Sequence, residues 1–278
     1  MPEPFLIEVY GQFGPGRLRI IWRDEERPPH PALDALVAQT WERQLSAARS
    51  SGRMLFNGRL ARYLCHHLEN GTLVIDAGPT DYANFLATNL LNCERGQEWG
   101  WGLFSNPIGT SAAPVTSDGW ILLGRRNQRV AFHAGYAHTF GGALEPGDRR
   151  PDGLIDAFDS IRRELREELA LGDADLEPDG IVCLGLIRDP AIRQPELVFE
   201  APVRLSREEA AGRLNLADPR QEHTALLACR DEPGAIVPFI RANTPIAPVA
   251  IGALCLHGRR QFGEAWFEQA MRELLCEV

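Results

Sequence analysis

The sequence predicts an α/β sandwich of the α+β kind, with a smaller N-terminal α+β part, and three observations carry that reading. Short β-like runs alternate with few helical stretches, without the strict strand–helix–strand rhythm of a doubly wound sheet. One stretch, residues 154–171, has a strong helical period that separates apolar from charged residues. The pattern also changes near residue 112, after a segment (97–113) rich in Gly, Trp, Asn and Pro, which divides the chain into 1–112 and 113–278. With 278 residues the chain is long enough for a sizeable core.

In chain order, β-like runs at 5–10 and 18–22 flank GQFGPG and predict an opening hairpin. A helix is expected over 31–49, where Leu33, Leu36, Val37, Trp41 and Leu45 share a face. Runs at 62–68 and 72–76 surround Glu69-Asn70-Gly71, a hairpin signal, because Asn-Gly tolerates the positive φ of a tight turn. Thr80 is placed as the N-cap of a helix reaching Asn92, with Leu86, Leu90 and Leu91 on its stripe. Strands at 113–116 and 120–124 surround Ser117-Asp118-Gly119. The helix at 154–171, apolar strands at 181–186, 196–203 and 225–229, and two closing helices complete the prediction.

The formal charge is −9, from 29 basic and 38 acidic side chains, and no basic run exceeds two residues. Such a chain repels phosphate backbones, which speaks against a nucleic-acid polymer as partner. A small anionic ligand held through a metal ion stays open, because the metal reverses the local sign. All 29 basic residues are Arg, which excludes Schiff-base and P-loop lysine chemistry. The six cysteines are scattered, mostly in apolar runs, and form no CxxC pair, as reduced core thiols do. The N-terminus lacks the basic and apolar regions of a signal peptide, and the longest apolar stretch (246–256) is interrupted by Pro248. A cytoplasmic protein with no membrane partner is expected; the sequence leaves its oligomeric state open.

The chemistry concentrates in Gly141-Gly-Ala-Leu-Glu-Pro-Gly-Asp148 and Arg163-Glu-Leu-Arg-Glu-Glu-Leu-Ala-Leu171. At about 100° per residue, Glu164, Glu167 and Glu168 fall within one arc of a helix, beside an apolar stripe of Leu154, Phe158, Ile161, Leu165 and Leu169. Carboxylates at such spacing repel by some tenths of a kcal/mol per pair. Either the face is solvated, or it meets a hard cation such as Mg²⁺, which takes oxygen ligands, water and substrate phosphate. The glycines of the preceding loop let backbone approach a metal or phosphate closely.

These segments resemble the Nudix box, in outline a leading Gly, a spaced Glu, then R-E-aliphatic-x-E-E-x-G-aliphatic. Gly142 matches the leading Gly, Arg163-Glu164-Leu165 the R-E-aliphatic, and Glu167-Glu168 the paired acids. Three positions depart: Asp148 replaces the first Glu, about seven extra residues within 149–156 lengthen the loop, and Ala170 replaces the late Gly, which is harmless if the helix continues. A wider resemblance, from Trp41 to Gly258, is to the Nudix branch that hydrolyses UDP-glucose and UDP-galactose. It rests on Trp41-Glu42-Arg43, Thr80-Asp-Tyr82-Ala-Asn-Phe85-Leu-Ala-Thr88-Asn89, Trp99-Gly100, Pro107-Ile-Gly109, Arg125-Arg126, Gly141-Gly142 with Glu145-Pro146, and Glu222-His223.

The resemblance implies a Nudix fold and a Mg²⁺-dependent hydrolase, with Mn²⁺ able to substitute, that cleaves a nucleotide sugar to UMP and a sugar 1-phosphate. Glu164, Glu167, Glu168 and the Gly141 carbonyl would hold metal, and Arg163 would fix a helix carboxylate or loop oxygen. One further acid would come from Glu196, Glu200 or Glu222, with Glu196 favoured. Tyr82 and Phe85 would face a uracil ring and Asn89 its edge, or the three pack as their helical spacing also allows. Arg125 and Arg126 would clamp phosphate, or simply end a strand. His133 and His138 lack metal-ligand spacing and are expected to be packing or solvent residues rather than ligands. Hydrolysis of ADP-ribose or another nucleoside diphosphate derivative, and a catalytically silent Nudix-like sensor, are the alternatives.

Overall fold

The computed structural model describes residues 3–52, 54–128, 132–177, 179–214 and 222–276. Its strands, numbered along the chain, form two sheets. The larger runs β1 (Leu6–Phe13), β10 (Val182–Arg188), β11 (Pro195–Pro202), β5 (Gly109–Val115), β6 (Trp120–Arg126) and β12 (His223–Arg230), with β7 (Ala137–His138) on β6 and β8 (Phe140–Ala143) on β5. The smaller runs β3 (Arg59–Glu69), β4 (Thr72–Asp81), β2 (Leu18–Trp22) and β9 (Leu154–Ile155). The helices are α1 (Pro31–Ser50), α2 (Tyr82–Phe85, continued by a π-turn at Leu86–Leu90), α3 (Gly96–Trp99), α4 (Ala157–Leu169), α5 (Arg207–Leu214), α6 (Ile236–Ala242), α7 (Pro248–Phe262) and α8 (Glu264–Leu275).

Side-chain alternation along β11 explains the layering. Leu197, Phe199 and Ala201 join the core shared with α4 and the small sheet, whereas Val198 joins the core beneath α6, α7 and α8. The larger sheet is thus covered on both faces by apolar helix stripes, as an α+β sandwich requires. No helix among the described residues is long and apolar enough to cross a membrane.

Several elements differ from the sequence-based expectation. β1 and β2 do not form a hairpin: β1 pairs antiparallel with β10, and β2 parallel with β4. Val9 and Phe13 of β1 and Leu18 and Ile20 of β2 enter one core from two sheets, so GQFGPG turns a corner between them. The β3–β4 hairpin does form, with Asn70 and Gly71 at φ 50° and 75°. Asp81, not Thr80, caps α2 by accepting the Asn84 N–H at 2.8 Å, while Thr80 lies in β4 with its hydroxyl on Ser105. Three helices, rather than two, close the chain. Residue 112, where the two parts were divided, falls inside β5; β1 belongs to the larger sheet and β9 to the smaller, so strands cross the division in both directions.

The helix predicted over 154–171 is shorter at both ends. Asp156 caps α4, accepting the N–H groups of Phe158 and Asp159 at 3.1 and 3.0 Å. Leu154 precedes it in β9, where the extra loop residues build an edge strand paired with Ile20 and Ile21. The insertion therefore fastens the small sheet to the start of the acidic helix. At the other end the helix does not continue: Ala170 takes the left-handed conformation, φ 53°, and the Leu171 N–H bonds back to the Leu165 carbonyl at 3.2 Å. An alanine in that conformation costs about 1 kcal/mol relative to glycine.

Candidate active site

The apolar stripe of α4 (Phe158, Ile161, Leu165, Leu169) is buried, which rolls its acidic face toward β8. There Glu164, Glu167 and Glu168 line a cavity of about 650 Å³ together with Gly141, Gly142 and Arg126. The cavity extends to Glu196 at the start of β11, Glu222 beside β12, and Asp189, Ile192 and Gln194 of the β10–β11 loop. Backbone contact requires glycine at Gly141, and a side chain at Gly142 would crowd the Glu164 carboxylate. A Cβ at Gly141 would lie 1.9 Å from the Thr110 carbonyl oxygen, and one at Gly142 2.9 Å from Glu164 Oε1. The bare strand lets the helix carboxylates reach the backbone, and the Gly141 N–H donates to Glu168 Oε2 at 2.8 Å.

Arg163 leaves the cavity face and donates to Asp148 Oδ1, Ser160 Oγ and Glu164 Oε1. Asp148 Oδ2 accepts the Glu145 N–H at 2.8 Å, so the aspartate that departs from the box pattern ties loop to helix through Arg163. Arg163 thus holds a loop carboxylate and a helix carboxylate at once.

The electrostatics favour a cation. Burial raises the Glu164 carboxyl, with Arg163 opposing it, and burial followed by the charge of Glu222 pushes Glu168 well above the ordinary range. Burial pushes Glu196 up to about 7, against a hydrogen bond from the Ser111 hydroxyl. Glu167 is exposed, with no hydrogen bond or ion pair among the described residues. All donors are hard oxygens, so the set fits Mg²⁺ rather than a softer metal. No three His, Cys, Asp or Glu side chains form a ready-made cage among the described residues. Mg²⁺ needs none, since it keeps waters and takes one or two carboxylates plus substrate oxygens.

The three acids offered as a distal partner separate clearly. Glu196 and Glu222 line the cavity, and Glu222 pairs with Arg126 at 2.9 Å. Glu200 is corrected: it lies further along β11 in a buried group, accepting from His257 Nδ1 at 2.7 Å and from Arg260. His257 Nε2 bonds Asp231 at 2.8 Å. Burial alone would lower the His257 imidazole, but the hydrogen bonds to Asp231 and Glu200 outweigh it and push it up to about 9. A raised folded-state value means stability that is complete below the unfolded value of about 6.5 and lost as pH rises through 9, up to about 3 kcal/mol. Melting curves between pH 6.5 and 9.5 are expected to fall more steeply for the parent chain than for His257→Gln; parallel curves would refute the charged triad.

The nucleotide-facing roles are redistributed. Asn89 is fully buried with its amide consumed: Nδ2 donates to Asn106 Oδ1 and the Ile192 carbonyl at 3.0 and 2.9 Å, and Oδ1 accepts the Asn106 N–H at 3.0 Å. It cannot also read a base edge. Tyr82 and Phe85 meet edge to face at 6.3 Å, Tyr82 packs on Trp41 at 6.5 Å, and neither lines the cavity. Arg125 is corrected as well, because its Nη1 is held by the carbonyls of Gly135, Asn243 and Pro245 at 3.1–3.2 Å. Arg126, one residue on, faces the cavity.

Sequence reasoning missed Phe56, Phe132, Asp189 and His223. The first three line the cavity, and His223 stands behind Glu168, at 3.6 Å from Oε1. Burial, then the charge of Arg126, pushes His223 down to about 3. His133 and His138 lie on the cavity wall, where His133 stacks on Tyr136 at 4.8 Å.

A glycine strand feeding an arginine-anchored helix of three glutamates is the arrangement that the Nudix resemblance implies, and the chain is similar to known Nudix hydrolases. Over 267 residues it is 24% identical to the uridine diphosphate glucose pyrophosphatase NUDT22 of Bos taurus, covering 85% of this chain and 89% of that one. Matches to the proteins of the same name in Mus musculus and Homo sapiens span about half the length of each. Nudix hydrolase 9 of Arabidopsis thaliana is 31% identical over 138 residues, 42% of this chain and 41% of that one. A solved Nudix hydrolase from Nitrosomonas europaea superposes with a TM-score of 0.34 at 16% identity, over 55% of this chain and 89% of that one. No family model matches the chain.

Proposed function

We propose that the chain is a Mg²⁺-dependent pyrophosphohydrolase that splits a nucleoside diphosphate sugar, UDP-glucose or UDP-galactose, into UMP and the sugar 1-phosphate. The observation that carries this reading is the cluster of desolvated helix carboxylates against a glycine strand, an arrangement whose uncompensated charge a divalent cation would neutralise. The similarity to the uridine diphosphate glucose pyrophosphatase of Bos taurus supports the sugar nucleotide.

Glu164, Glu167, Glu168 and the Gly141 carbonyl would hold the ion. When bound, Mg²⁺ would draw charge from the pyrophosphate oxygens and acidify water. The remaining work falls to the chain. Arg126, already drawn into the cavity by Glu222, presents a positive charge to phosphate. Glu196 has Oε1 engaged by the Ser111 hydroxyl and a carboxyl pushed up to about 7, so its other oxygen is suited to take a proton near neutral pH. Arg163 and Asp148 keep helix and loop in register.

Incubation with a panel of nucleotide sugars, with Mg²⁺, Mn²⁺ or a chelator, tests the reading. UMP and glucose 1-phosphate are expected from UDP-glucose in either metal and not with the chelator. UDP and free glucose would overturn the bond assignment. Faster turnover of ADP-ribose or another nucleoside diphosphate derivative would overturn the sugar, and no turnover at all would leave a ligand sensor.

A further inference from the structure

His223 opens β12 and is 1% exposed, yet neither of its ring nitrogens has a hydrogen-bond partner among the described residues. Nδ1 stands 3.6 Å from Glu168 Oε1, just beyond hydrogen-bond length. Two features of the backbone are shaped around this ring. The β12–β6 ladder slips between His223 and Ala225, a bulge that turns the imidazole inward while Thr224 and Ala225 face solvent. On the partner strand, Gly124 makes the space: a Cβ there would sit 2.3 Å from His223 Cδ2. Phe140 closes the hollow edge to face, its ring 4.9 Å from the imidazole.

A buried polar group without a partner costs about 1–3 kcal/mol, and in a native fold it requires an explanation. Packing does not provide one, because an apolar ring would fill the same hollow without that cost. The neighbour that the imidazole does face is Glu168, whose other oxygen is already held by the Gly141 N–H at 2.8 Å.

We propose that His223 is a positioning residue for Glu168: when a divalent cation enters the site, the His223 Nδ1–H closes onto Glu168 Oε1. With a donor on each oxygen the carboxylate plane is fixed, and its remaining lone pairs are left for the cation. The inference rests on the divalent-cation reading of the site given above, and it concerns affinity for the ion rather than a proton transfer.

The test is Mn²⁺ binding to the chelator-stripped full chain, followed by electron paramagnetic resonance of the free ion and by the rise in Tm on loading. Neither readout needs turnover. His223→Phe is expected to bind Mn²⁺ about 10–100-fold more weakly than the parent, with a stripped Tm no lower than the parent's. His223→Asn, whose amide nitrogen falls near the position of Nδ1, is expected to recover most of the affinity. Should the phenylalanine variant fail to fold, His223→Leu replaces it in the comparison with His223→Asn. Binding by the apolar variant within about twofold of the parent, or an asparagine variant no tighter than the apolar one, would overturn the role of His223 alone. A parent chain that binds no Mn²⁺ would overturn the cation reading itself, and this proposal with it.

Discussion

Glu167→Gln is expected to lower nucleotide-sugar hydrolysis by at least about 100-fold, since even groups that only orient a metal ligand are worth about 10–100-fold. The expectation is sharp because Glu167 does nothing visible for the fold. It is exposed on α4, and no hydrogen bond or ion pair holds it among the described residues. Its neighbours are the acids Glu164 and Glu168, so the neutral amide relieves repulsion by some tenths of a kcal/mol. The Tm is therefore expected to stay level or rise slightly while kcat collapses. Rate measurements at saturating Mg²⁺, beside a melting curve, separate the two effects. Activity within about tenfold of the parent would remove Glu167 from the metal site.

Those three glutamates were legible in the sequence because one helical period places them together, and the amphipathic stripe of α4 leaves a single orientation that buries Phe158, Ile161 and Leu165. The partners of Arg163 were legible in outline, since the box pattern puts an arginine beside an acid of the loop. What the sequence did not show is everything that depends on strand pairing across long separations. Glu196 reaches the cavity because β11 lies parallel to β5, and His223 because β12 returns to β6 with a bulge. Neither pairing leaves a local mark on composition. Strand alternation required Arg125 and Arg126 to point opposite ways, but not which of them would face inward. β9 is two residues long, too short for a period of two to be seen, and so the insertion read as loop. The helix around Asn89 showed its spacing but not its burial, and that difference reverses its role.

Asn89→Ala is expected to lower the Tm by about 6–12 °C, rather than to weaken base recognition. The side chain joins three segments: the π-turn after α2, the Asn106 turn before β5, and Ile192 in the loop on the cavity wall. Truncation leaves the Asn106 N–H and the Ile192 carbonyl without this partner, at about 1–3 kcal/mol for each group left bare. A total near 3 kcal/mol corresponds to the stated shift, at about 2–4 °C per kcal/mol for a chain of this size. The cavity wall carrying Asp189, Ile192 and Gln194 loses an anchor at the same time, so KM should rise for UDP- and ADP-sugars alike, leaving their ratio unchanged. That outcome would assign the N-terminal part the job of bracing the cavity wall through the Asn89–Ile192 contact. Differential scanning fluorimetry and KM values for both sugars, measured well below the variant's Tm, test this together. An unchanged Tm with a lost preference between the two bases would show that Asn89 turns toward the ligand after all.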